Sequence, residues 1–66
     1  MDRVELAQQL RSMRIASGMS MADVASKMGC ATNFISKIET GFANLTMDKL
    51  LQYCDAIGVE IEFVEA

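Results

Sequence analysis

Residues 20–41 read SMADVASKMGCATNFISKIETG, and this stretch decides the fold. Ser20 followed three residues later by Asp23 is a capping-box pattern. The hydroxyl accepts from the third helical N–H while the acid reaches back to the serine backbone. The pattern predicts a helix over 21–28 with Val24, Ala25 and Met28 inward, stopped by Gly29. After Gly29-Cys30-Ala31, a helix over 32–39 turns Ile35 and Ile38 inward, and Gly41 closes it. Two short helices joined by a bend of this length have the spacing of a helix-turn-helix. Ala25 is the small residue that lets the second helix cross the first, and Gly29 sits at the bend. Neither helix is long enough to be stable alone, so both must pack on neighbours.

Upstream, Leu6, Leu10 and Met13 recur at i, i+4 and i+7 in a helix over 3–17, while Gln8, Gln9, Arg11 and Ser12 face away. Gly18 sits where that helix should end. Downstream, residues 42–45 read as a loop, and Thr46 caps a fourth helix over 47–56 that buries Leu50, Leu51, Cys54 and Ile57. The ending differs in kind, because Val59-Glu60-Ile61-Glu62-Phe63-Val64 alternates apolar and acidic residues at period two. That pattern predicts a half-buried β-strand over 59–64. The expected fold is therefore all-α, a compact bundle of about four helices forming one domain over 1–66, plus a short C-terminal β-strand. A lone strand has no partner in a helical chain, so it is expected to pair with its copy in a homodimer. Val59, Ile61 and Phe63 would then be covered at the dimer interface.

Composition removes whole classes of function. The chain has 66 residues, 52% hydrophobic, with no histidine, proline or tryptophan. A domain of this size buries only about 60% of its unfolded surface, which makes dimerisation the expected extra stabiliser. Cys30 and Cys54 form no disulfide framework and no C-x-x-C, and without histidine no metal site or cofactor is expected. Ser12, Ser17, Ser20, Ser26 and Ser36 lack an imidazole base, so no catalytic residue and no enzyme activity is expected. No apolar run approaches the roughly 18 residues of a membrane span, and Met1-Asp2-Arg3-Val4-Glu5 does not read as a signal peptide. The expectation is a cytoplasmic protein with reduced thiols, with no membrane partner and no evident small-molecule ligand.

Charge divides the chain. Six Lys and Arg against nine Asp and Glu give −3, the wrong sign for a generic nucleic-acid binder. Residues 1–47 nevertheless carry Arg3, Arg11, Arg14, Lys27 and Lys37 against Asp2, Glu5, Asp23 and Glu39, a net +1. The remaining −4 lies in residues 48–66. The first part of the chain is thus compatible with an anionic partner. The outward side of the helix over 32–39 presents Thr32, Asn33, Ser36 and Lys37. Asparagine suits the edge of adenine and lysine that of guanine, so this face has the chemistry of a major-groove reader. A plain solvated face is the alternative.

With these residues in place, positions 6–58 resemble the phage-repressor and Cro-like helix-turn-helix family of bacterial and phage regulators. The resemblance rests on Leu10-Arg11-x-x-Arg14, Gly18-Met19-Ser20-x-x-x-Val24-Ala25-x-x-Met28-Gly29, Ile35-Ser36-Lys37-Ile38-Glu39-x-Gly41 and Thr46-x-x-x-Leu50. It implies a homodimeric DNA-binding module on an inverted repeat, with Thr32, Asn33 and Lys37 at base-reading positions and Ser36 beside them. It also implies a structural ion pair, Arg14 with Glu39, and phosphate-side positions at Thr40 and Asn44. Arg11 and Lys27 are further phosphate-side candidates, with solvated surface as the alternative for each. Three features depart from the pattern. Met21 stands where the family usually has a phosphate-gripping glutamine, Ala31 where a serine or threonine caps, and Phe42-Ala43-Asn44 lacks the basic residues common in that loop.

The functional expectation is a sequence-specific transcriptional regulator, chiefly a repressor, binding double-stranded DNA at a palindromic operator. Small phage or mobile-element regulators, restriction-modification controllers among them, fit the same reading. Two alternatives remain. One is the DNA-binding antitoxin of a toxin–antitoxin pair, with a toxin as protein partner, although no disordered tail is present to wrap one. The other is a protein-interaction module that has lost DNA binding, which the −3 charge and Met21 favour.

Overall fold

Four helices, α1 (Arg3–Ala16), α2 (Met21–Met28), α3 (Thr32–Thr40) and α4 (Met47–Ile57), follow one another in a computed structural model that describes residues 1–62 and 64. Three of them start on a capping side chain. Asp2 Oδ1 accepts from the Glu5 backbone N–H at 2.8 Å, and Thr46 Oγ1 from that of Lys49 at 3.2 Å. Ser20 and Asp23 close the expected reciprocal box, with Asp23 N donating to Ser20 Oγ at 3.0 Å and Ser20 N to Asp23 Oδ2 at 2.9 Å. The exception is α3, whose Ala31 has the extended backbone of an N-cap and no side-chain acceptor. Gly29 ends α2 at φ +69°, a left-handed turn that a side chain resists, and this turn swings the chain from α2 into α3.

The centre of the bundle is built from all four helices. Leu10 of α1, Val24 of α2, Ile35 of α3 and Tyr53 of α4 are fully buried, joined by Ala25, Ile38, Cys54 and Ile57. Ala25 is buried where α2 and α3 pack, as the crossing of two short helices requires. With α1 on one side and α2 on the other, α3 is held by its apolar face and shows its polar face to solvent.

Two expectations are corrected. The segment expected as a strand over 59–64 is not a strand among its described residues, 59–62 and 64, and the cross-dimer pairing that rested on it falls with it. A strand needs a neighbour to take its backbone N–H and C=O groups, and a helical bundle offers none. Val59 instead donates its N–H to the Cys54 carbonyl at 2.9 Å, wrapping the end of α4, and packs half-buried on the core. Glu60, Ile61 and Glu62 are exposed, and Phe63 lies outside the described residues. The second correction concerns α4, where Leu51 is 50% exposed and Tyr53 is fully buried. The apolar stripe of α4 runs through 50, 53, 54 and 57, the i, i+3, i+4, i+7 set, which leaves position 51 on the flank.

Candidate nucleic-acid interface

Along α3, each residue turns the chain about 100° and advances about 1.5 Å. Thr32, Asn33, Ser36 and Lys37 therefore lie within about 140° of the helix circumference and about 7.5 Å of its length. Thr32, Asn33 and Lys37 are exposed and Ser36 is half-buried. Their side chains form no hydrogen bond or ion pair among the described residues, so their donors and acceptors are open to an external partner. Ile35 and Ile38 lie on the far side of α3 and are buried, and Glu39, about 20° off the line of Thr32, is buried at the C-terminal end. One helix thus carries a polar, almost uncharged reading face and an anchoring face.

The five phosphate-side candidates fall into three places. Arg11 on α1, Met21 at the start of α2 and Thr40 at the end of α3 line one groove with Ser36, and Gln8 of α1 lies along it. Met21 is half-buried and packs against the core. Thr40 donates its hydroxyl to the Ser36 carbonyl at 3.0 Å, so its proton is engaged within the helix. Lys27 is elsewhere: its Nζ lies 3.5 Å from the Ala56 carbonyl, beside Gln52 and Asp55 at the C-terminal end of α4. A cation there meets the negative pole of that helix. Asn44 is exposed in the loop after α3 and lines a separate hollow with Arg3 and Met47.

Behind α3 the expected Arg14–Glu39 pair is present and two-pronged. Arg14 Nε donates to Glu39 Oε2 at 2.7 Å and Nη2 to Oε1 at 2.9 Å, while Nη1 donates to the Met19 carbonyl at 2.9 Å. The hydrogen bond to Glu39 raises the Arg14 pKa against the opposing effect of burial. A residue that the periodicity reading passed over completes the site. The Tyr53 hydroxyl donates to Glu39 Oε2 at 2.6 Å and also lies 3.2 Å from the Leu10 carbonyl. Burial, reinforced by the Glu39 carboxylate, pushes the Tyr53 phenol well above its usual range. Position 53 lies three residues after Leu50 and four before Ile57, which is the spacing that could have marked it. No buried side-chain polar atom among the described residues lacks a partner, and no three metal-ligating side chains cluster there. Among those residues no helix is long and apolar enough to cross a membrane.

A family model described as "Helix-turn-helix domain" matches residues 5–66. Among solved structures, the chain is similar to the restriction-modification controller protein C.AhdI from Aeromonas hydrophila, with TM-score 0.84 and 29% identity over 89% of each chain. It is also similar to the wild-type restriction-modification controller protein C.Esp1396I, with TM-score 0.81 and 26% identity, covering 88% of this chain and 76% of that one. None of the curated protein sequences compared matches.

Proposed function

This chain belongs to the helix-turn-helix domain family, and from that premise we propose that it is a DNA-binding transcriptional regulator of the restriction-modification controller kind. The observation that carries this reading is the division of α3 into a buried face clasped through Glu39 and an exposed face of Thr32, Asn33, Ser36 and Lys37 with unengaged polar groups. On this reading α3 enters the major groove. Asn33 and Lys37 read base edges, Thr32 and Ser36 assist, and Arg11 holds a flanking phosphate. The likeness to C.AhdI and C.Esp1396I supports the regulatory class.

The protein acts as a homodimer on an inverted repeat, its two α3 helices about 34 Å apart, and represses by occupying promoter DNA. What supports dimerisation is the outer flank of α4, where Met47 and Leu51, one turn apart, are 65% and 50% exposed. Exposed apolar side chains at that spacing are suited to a second copy. No observation favours a toxin partner.

Selection from a random duplex pool at fixed moderate salt, followed by sequencing, tests the proposal. The expected outcome is an enriched inverted repeat with half-sites about 10 bp apart. A folded protein that enriches nothing would refute it and favour an interaction module.

A further inference from the structure

We propose that Tyr53, on a helix that presents nothing to the reading face, is a positioning residue for DNA recognition: its hydroxyl sets the orientation of α3 through Glu39. This inference rests on the DNA-reading function proposed above. The argument begins at the two ends of α3. Its N-terminal end starts at exposed Ala31 with no side-chain cap, so no side-chain hydrogen bond pins the end that carries Thr32 and Asn33. The C-terminal end is held by one carboxylate. Glu39 Oε1 takes a single donor, Arg14 Nη2, whereas Oε2 takes two, Arg14 Nε and the Tyr53 hydroxyl.

Arg14 alone leaves Glu39 a freedom. A two-pronged guanidinium–carboxylate pair is planar, and with Arg14 Nη1 held by the Met19 carbonyl at 2.9 Å the freedom left is a swing of the carboxylate out of that plane. Tyr53 approaches Oε2 from a third helix and stops that swing, its own position fixed by full burial and by the Leu10 carbonyl 3.2 Å away. Glu39 lies seven residues from Thr32, about 10 Å along the axis. A tilt of about 5° at the clasp therefore moves the reading end by about 1 Å, more than the roughly 0.5 Å within which a recognition site must be held. The hydroxyl acts on readout geometry while lying wholly in the core.

Tyr53→Phe removes the hydroxyl and keeps the ring. The experiment measures affinity for the selected operator and for an operator scrambled in both half-sites, at 25 °C and one salt concentration, for wild type, Tyr53→Phe and Ile57→Val. Ile57→Val trims the core without touching Glu39 and serves as a destabilised control. Amide spectra confirm that each protein is folded under assay conditions. The expected result is a fall of about threefold to tenfold in the operator-to-scrambled ratio for Tyr53→Phe, less than the full worth of a hydrogen bond to a charged group because the rest of that loss appears as lower stability. For Ile57→Val the ratio should match wild type despite a lower melting temperature. An unchanged ratio in Tyr53→Phe, or an equal fall in Ile57→Val, overturns the inference. A wild-type protein with no preference between the two duplexes refutes the DNA-reading function itself, and the inference falls with it.

Discussion

Arg14 and Glu39, 25 residues apart in the chain, meet through two parallel hydrogen bonds of 2.7 and 2.9 Å in a site almost closed to water. The desolvation of two charges cancels most of their attraction, so the pair as a whole adds little net stability. Removing one member is different, because the other is left buried and uncompensated at a cost of about 3–5 kcal/mol. A chain of 66 residues has only about 3–10 kcal/mol to lose. Glu39→Ala should therefore unfold at much lower urea than wild type, with a substantial unfolded population in buffer. The double variant Arg14→Met, Glu39→Leu should be more stable than either single one. A Glu39→Ala midpoint equal to wild type would sink this account.

The open start of α3 gives the opposite sign. Ala31 already has N-cap backbone angles, φ −77° and ψ 147°, so Ala31→Ser places an acceptor without moving the chain. The gain should be about 1 kcal/mol. Thermal melting should rise by roughly 4–8 °C for a domain of this size. No rise would mean that the hydroxyl does not reach the first-turn amides.

At the bend between α2 and α3, Gly29 stands at φ +69° with nothing within 4 Å of a built Cβ. Space is therefore no obstacle to alanine, and backbone conformation alone decides. Left-handed alanine costs about 1–2 kcal/mol, partly offset by its smaller unfolded-state entropy. Gly29→Ala should melt several degrees lower, and Gly29→Asn should recover part of the loss. Equal melting temperatures for wild type and Gly29→Ala would show that the turn relaxes.

The pH profile has two limbs with different owners. Asp23 is held below its usual 3.8 by the Ser20 backbone N–H first and the Ser20 hydroxyl second. A lowered folded value means that this stabilisation is complete above pH 3.8 and is lost as pH falls through the folded value. Asp23→Asn should flatten that acid limb. Tyr53 and Cys54 are raised above 10.0 and 9.0, chiefly by burial. Their contribution is complete below those values and is lost as pH climbs past them. Tyr53→Phe should shrink the alkaline loss and leave the Cys54 share. Melting temperatures from pH 3 to 11 check both limbs.

Salt dependence should separate two cations that look alike in the sequence. Arg11 lines the groove beside Ser36 and Thr40, whereas the Lys27 amine lies against the end of α4. Each phosphate contact contributes about one unit to the slope of log affinity against log salt. Arg11→Ala should lower that slope by about one, and Lys27→Ala should leave it unchanged. The reverse pattern would place the DNA along α4.

The helices were legible because their ends carry explicit chemistry: Ser20 with Asp23, Thr46, and a glycine after α2, α3 and α4. The helix-turn-helix was legible in residue type and spacing, whereas the Arg14–Glu39 pair was implied by the family resemblance, since a separation of 25 residues does not by itself join two side chains. The terminal segment misled because period-two alternation reports which faces differ and says nothing about a partner; Val59 spends its N–H on the end of α4 instead. Tyr53 escaped because the apolar stripe of the fourth helix was drawn through Leu51 in its place, and no spacing announces a hydroxyl meeting a carboxylate 14 residues away. Lys27 and Arg11 are both exposed cations in the sequence, and only the direction in which each helix lies tells them apart.

The three-way clasp also shapes how the chain acquires its structure. Connections between successive helices are short, and such local topology favours rapid folding. Yet the Glu39 carboxylate draws on Arg14 from α1 and Tyr53 from α4, so a form that lacks the last helix keeps the Arg14 pair but leaves it open to water and without its third donor. α2 and α3 therefore cannot settle ahead of the rest as an independent unit. On a ribosome, the reading helix would take its final place only after Tyr53 has emerged, and the transition from chain to folded protein becomes a single cooperative step.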